Sequence, residues 1–217
     1  GHWGIQGRLS NIGSDGYIDR ASAKLNSYFV QAGYFADNTI VKFVTFNGTE
    51  RTYHAWDYAS KYDQSVYGRT YNPSGKMEKD ANGNLQFYRD QTDNYHQQHY
   101  QLFWNQYLNK DWTLNVALHY TNGKGYYEQY KKNKKLSDYG LDMNKTKAKS
   151  SLVRQKWLAN DFFGTIASLH FNNKKNVEAT IGGGWNKYDG DHYGFVTWVA
   201  KPVDAFFPYH RYYDNNT

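Results

Sequence analysis

Trp112-Thr113-Leu114-Asn115-Val116-Ala117-Leu118-His119-Tyr120 alternates with period 2 along its whole length. In an extended chain, successive side chains point to opposite faces. Trp112, Leu114, Val116, Leu118 and Tyr120 therefore share one face, and Thr113, Asn115, Ala117 and His119 the other. The apolar face begins and ends on an aromatic. A strand crossing a bilayer reads this way, with an apolar stripe toward lipid, polar groups toward a wet interior and rings at both interfaces.

The composition carries the same signal. The chain has 217 residues with 22 Tyr, 7 Trp and 12 Phe, and aromatics make up 19%. Its mean hydropathy is nevertheless −0.93. Large amphipathic rings alternate with Asn, Gln, Thr, Ser and Gly, and little aliphatic core is left for a soluble domain. No cysteine is present, which excludes a disulfide scaffold and a thiolate metal site. The net charge of +6 is local, because residues 124–156 hold nine Lys and one Arg. A lysine-rich loop accounts for it better than a nucleic-acid-binding face. No signal peptide or transmembrane helix is visible. The chain opens without Met and stops in polar residues, so it reads as an internal piece of a longer protein.

The alternation recurs. Residues 27–35 set Tyr28, Val30, Ala32 and Tyr34 against Ser27, Phe29, Gln31 and Gly33. Residues 99–108 set Tyr100, Leu102, Trp104 and Leu108 against Gln101, Phe103, Asn105 and Tyr107, with Gln106 out of pattern. Residues 163–171 set Phe163, Ala167, Leu169 and Phe171 against Gly164, Ile166, Ser168 and His170. Residues 176–186 set Val177, Ala179, Ile181, Gly183 and Trp185 against Glu178, Thr180, Gly182, Gly184 and Asn186. Residues 39–48 read as a strand of ambiguous face, and residues 1–10 as a first strand. Short turns are expected at 36–38, 109–111 and 172–175, a tighter loop at 11–20, and long polar loops over 48–94 and 121–161.

The expected fold is all-β, an antiparallel transmembrane barrel segment (residues 1–217) of about seven strands, with short periplasmic turns and long extracellular loops. An odd number does not close the usual bacterial barrel. Two alternatives remain. One is a soluble aromatic-rich β-domain that binds carbohydrate, and the other a complete eight-stranded barrel. The first is disfavoured because the non-apolar faces carry Asn, Thr, Gly, Gln and His rather than Lys and Glu.

Six stretches carry a family resemblance. They are Gly7-Arg8-Leu9-Ser10-Asn11-Ile12-Gly13-Ser14-Asp15-Gly16-Tyr17-Ile18-Asp19-Arg20-Ala21, Arg51-Thr52-Tyr53-His54-Ala55-Trp56, Phe87-Tyr88-Arg89-Asp90-Gln91-Thr92-Asp93-Asn94-Tyr95, Ala117-Leu118-His119-Tyr120, Gly123-Lys124-Gly125-Tyr126-Tyr127-Glu128-Gln129-Tyr130 and Leu152-Val153-Arg154-Gln155-Lys156-Trp157. Together they resemble the barrel of TonB-dependent outer-membrane receptors, especially those of Bacteroidetes. The resemblance implies a barrel of about 22 strands plugged by an N-terminal domain, with this chain supplying earlier strands. It further implies residence in the outer membrane of a Gram-negative bacterium, in contact with its lipid. The implied activity is transport of a scarce extracellular nutrient, such as a ferric siderophore, haem, cobalamin or a glycan. The plug domain and the TonB complex are the implied partners.

No catalytic, cofactor or metal residues emerge, and no enzyme is expected. His96 and His99 are three apart on a strand and so face opposite sides. Asp80-Ala81-Asn82-Gly83-Asn84 has alternate oxygen ligands, but its glycine is misplaced for a calcium loop, and a tip turning on Asn82-Gly83 is expected. Asp189-Gly190-Asp191-His192 reads as a loop. Gly182-Gly183-Gly184 lacks the helix and lysine of a phosphate cradle and instead leaves room for a neighbouring backbone or the plug. Lys131-Lys132-Asn133-Lys134-Lys135 reads as a solvated loop, with an anionic substrate or lipopolysaccharide phosphate as the alternative. Tyr53, Tyr58, Tyr62, Tyr67, Tyr71, Tyr126, Tyr127 and Tyr130 fall in the expected loops, where they either stack on a ligand or pack the loops together.

Overall fold

The computed structural model describes residues 1–142, 147–201 and 203–216. Among these, all eight strands join one antiparallel sheet in chain order. They are β1 (Trp3–Ser14), β2 (Ser22–Phe35), β3 (Thr39–Tyr53), β4 (Thr92–Tyr107), β5 (Trp112–Lys135), β6 (Lys149–Asn172), β7 (Glu178–Val199) and β8 (His210–Asn216). A short helix, α1 (Lys61–Tyr67), and a 3-10 turn, Leu136–Tyr139, are the helical pieces. The sheet is not closed, with β1 and β8 as its edges.

The three short turns hold. Ala36 N donates to Thr39 O at 2.8 Å. Asn109 Oδ1 accepts from the amides of Asp111 and Trp112, and Asn173 Oδ1 from those of Lys175, Asn176 and Val177. Asn side chains imitate backbone acceptors and so set tight reversals. All three turns lie at one end of the sheet, here called the turn end. Gln106, out of pattern in sequence, serves that end: it accepts from Thr39 Oγ1 at 2.7 Å and donates to Asn38 O at 2.8 Å.

The expected strand count and loops need correction. There are eight strands among the described residues rather than seven, because β8 was hidden in the polar stretch after Tyr209. The connection expected at 11–20 begins only after Ser14. The loop expected over 121–161 is mostly sheet, since β5 runs to Lys135 and β6 starts at Lys149. At 24 residues each, β5 and β6 extend about 80 Å. That far exceeds the roughly 9–11 residues that span a hydrocarbon layer. Alternation gave no warning, because beyond Tyr120 both faces are polar or aromatic.

At the far end two small layers cover the sheet. Residues 54–91 fold back over β3 to β6. Tyr53 is buried, and its hydroxyl is shared between the carbonyls of Ser74 and Tyr88, 3.0 Å from each. Tyr130 donates to Glu78, which also accepts from Ser151 Oγ at 2.7 Å. Arg20 stacks over Phe87 at 3.6 Å and donates to Asn72 O, tying this layer to the first connection. A second cluster packs Leu136, Tyr139 and Leu141 on Leu152 and Val196.

Candidate functional site: two faces of one sheet

Strand pairing places the apolar sets side by side. Tyr34 pairs with Val41, Val41 with Trp104, Trp104 with Val116 and Val116 with Ala167. The next row toward the far end runs Ile5, Ala32, Phe43, Leu102, Leu118, Thr165 and Trp185. The apolar members of the assigned alternate sets that lie within β2 and β4 to β7 share this face, and the third strand, ambiguous in sequence, puts Val41, Phe43 and Thr45 on it. No second sheet covers the band among the described residues. Leu9 is 86% exposed, Ile181 73% and Leu118 45%.

Aromatics mark both margins. Trp3 and Tyr34 lie 4.9 Å apart at the turn end, and Trp112 and Phe171 4.7 Å apart. Toward the far end, Tyr100 and Tyr120 stack at 6.2 Å, and Phe163 meets Trp185 edge-on at 5.8 Å. One step beyond, the same face turns polar along Asn47, Gln98, Asn122, Asp161 and Asp189. Asn122 and Tyr120 both donate to Asp161 there, and Tyr28 donates to Gln98 at 2.8 Å.

The band also drifts. Tyr34 traces across four strand steps to Ala167, yet β6 carries its margin four residues closer to the turn end, at Phe171. Tyr28 traces across five steps to Asp189, while β7 carries its margin at Trp185, again four residues closer to the turn end. With about 3.3 Å per residue and 4.8 Å per strand, a level band crosses these strands at roughly 30–35° from perpendicular.

The opposite face carries amide and imidazole ladders. Asn105 donates to Asn115, and Asn115 to Ser168 Oγ at 3.4 Å. His99 bonds Thr121 at 2.9 Å and stacks on Phe46 at 4.2 Å. Phe29, Phe46, Phe103, Phe162 and Ile166 lie here too. The alternation already put Phe29, Phe103 and Ile166 opposite the apolar sets one strand at a time, and cross-strand register brings them together with Phe46 and Phe162.

Beyond the band, the polar face opens into a basin of about 390 Å³, lined by Glu50, Asp93, Tyr95, Tyr127, Lys156, His192 and Tyr213 among others. Lys156 Nζ sits 5.9 Å from the Tyr127 ring and 5.8 Å from the Tyr213 ring. Burial pushes the Asp93 carboxyl up, against the opposing pull of His54, whose Nε2 lies 3.9 Å away. Burial likewise raises the Tyr95 hydroxyl.

His96 bonds Thr49 on one face and His99 bonds Thr121 on the other, and no group of three metal-ligand residues forms among the described residues. Asp80 spends its carboxylate on Asn82, Asn84 and Gln86 in a turn with Gly83 at φ +83°. Asp189-Gly190-Asp191-His192, read as a loop, lies inside β7. Lys131 to Lys135 is strand rather than loop, and Lys131 is depressed by burial and by Arg154 nearby. A Cβ at Gly182 would stand 2.8 Å from Ala167 O, so this glycine does admit a close backbone. Tyr53, Tyr71 and Tyr130 are buried in packing, whereas Tyr58 and Tyr62 are exposed. No protein-family model matches the chain, and no curated protein matches it either.

Proposed function

We propose that this sheet is part of the wall of an outer-membrane β-barrel receptor of the TonB-dependent kind, taking up a scarce nutrient such as a ferric siderophore, haem, cobalamin or a glycan. The observation that carries it is the oblique apolar band with aromatics at both margins. A slab of lipid cuts tilted strands at a constant height, and strands of membrane barrels tilt by about 35–45°. The drift of both margins in one direction fits such a slab. A sandwich core fits worse, because among the described residues Trp112 and Leu118 have no facing sheet.

The edges support a larger barrel. β8 pairs with β7 only over Asp191–Val196, so Glu178 to Gly190 of β7 is unpaired on that side, as is β1. Lipid leaves no unpaired backbone unsatisfied, so further strands would complete the wall. A plug domain and the TonB complex would supply gating and energy. The test is flotation of the refolded chain on phosphatidylcholine vesicles in a sucrose gradient. The chain is expected to float and resist carbonate extraction. Recovery as a folded monomer in the soluble fraction would overturn the reading.

A further inference from the structure

Three tyrosines on the polar face occupy space above glycines. A Cβ at Gly123 would meet Tyr95 Oη at 2.1 Å and Cζ at 3.1 Å, and one at Gly125 would meet Tyr95 Cδ2 at 2.6 Å. The Tyr95 ring thus reaches along β5 over two glycine positions of one face, as only a ring lying down on the neighbouring strand does. Its hydroxyl donates to Asn160 Oδ1 at 3.1 Å. Likewise, Tyr188 Cε1 fills the space above Gly190 at 2.5 Å, and Tyr213 Cε1 that above Gly194 at 2.3 Å. A ring laid on backbone keeps one π face against the strand and turns the other outward.

We propose that this tyrosine floor binds a neutral oligosaccharide. A pyranose has an apolar C–H face that sheds water against a flat ring, and hydroxyls at its rim that need donors and acceptors. The basin offers both. Glu50 and Asp93 accept, His192 does either, and the cavity lies in the size range of small-ligand sites. Charge favours a neutral ligand. Glu50 and Asp93 oppose Lys156, and Lys156 is already engaged over Tyr127 and Tyr213. Length favours a chain over a single sugar, since Tyr95 on β4 and Tyr213 on β8 are four strand steps apart, or about 19 Å. The proposal rests on the wall reading: with the apolar face toward lipid, this face lines the path a ligand takes.

The test is saturation-transfer NMR on the full chain in phosphatidylcholine vesicles, irradiating aromatic protons. The probes are neutral glucan, mannan and xylan hexasaccharides, with hexagalacturonate as the matched polyanion. At least one neutral chain is expected to receive saturation at its ring C–H protons. Tyr95→Ala and Tyr188→Ala should each weaken its binding by about tenfold or more, and Tyr95→Phe by less than about threefold, because stacking persists. Hexagalacturonate should bind about tenfold more weakly than the best neutral chain. If Tyr95→Ala fails to fold, Tyr188→Ala decides, its ring being partly exposed. Absence of any neutral signal, equal binding by wild type and the alanine variants, or preference for hexagalacturonate overturns the floor. Flotation of the same samples separates the two ideas. A chain that floats without binding sugar overturns only the floor, and one that binds sugar without floating overturns only the wall.

Discussion

On the two sides of the Tyr100–Tyr120 margin, one sheet is built in two ways. Toward the turn end it is a single layer whose apolar face meets no second layer among the described residues. Toward the far end it is sandwiched between residues 54–91 on one face and the 3-10 turn with residues 203–206 on the other. Of the ten buried hydrophobic residues among those described, nine lie in the far-end part, and Val44 is the exception. A sheet in water has to cover its apolar surface with its own chain, and a sheet in lipid does not. On the proposed barrel reading, the difference marks where lipid gives way to water.

The sharpest way to break this comparison is at the far-end core. Leu152 is fully buried, so Leu152→Ala should cost about 2–5 kcal/mol. Urea unfolding should give the same cost in detergent and in vesicles, because on the proposed barrel reading the cluster lies beyond the bilayer. A strong dependence on the bilayer would mean that the far end is immersed as well.

Next in size is the band. Val116→Lys should cost roughly 2–4 kcal/mol in vesicles, and Asn115→Lys on the neighbouring polar face much less. Equal costs would erase the assignment of faces.

A smaller effect probes the bond between the far-end layer and the sheet. Burial raises the Glu78 carboxyl, but bonds from Tyr130 and Ser151 outweigh it, and the net shift is below the ordinary 4.5. A depressed carboxylate contributes stability above its unfolded pKa and loses it as pH falls through the folded value. The midpoint of thermal unfolding should therefore fall on acidification from about pH 5 downward. Tyr130→Phe should flatten that slope and cost about 0.5–1.5 kcal/mol at neutral pH. An unchanged slope would show that Glu78 is not the titrating group.

Smallest is Arg51, whose guanidinium meets Asp90 at 2.7 Å with both side chains about half exposed. Arg51→Ala should cost about 0.2–1 kcal/mol at low salt and nothing measurable at high salt. A larger, salt-independent loss would mean that residues 54–91 are held mainly through this pair.

The sequence by itself determined which residues share a face. Period-2 alternation is local, so Trp112 to Tyr120, the second strand and Ala179 to Trp185 were legible residue by residue. So were the Asn-rich turns, because each side chain bonds within four residues. Face choice in residues 39–48, the eighth strand, the strand extensions past Tyr120 and the Tyr95 floor were decided only in three dimensions. Val44 and Phe46 have no assignable face in sequence until register sets them beside Gln101 and His99. Gly123 and Gly125 look like weak points until Tyr95, some thirty residues earlier, lies across them. Those outcomes depend on which residue of one strand stands opposite which of the next, and that information lies between strands rather than along any of them.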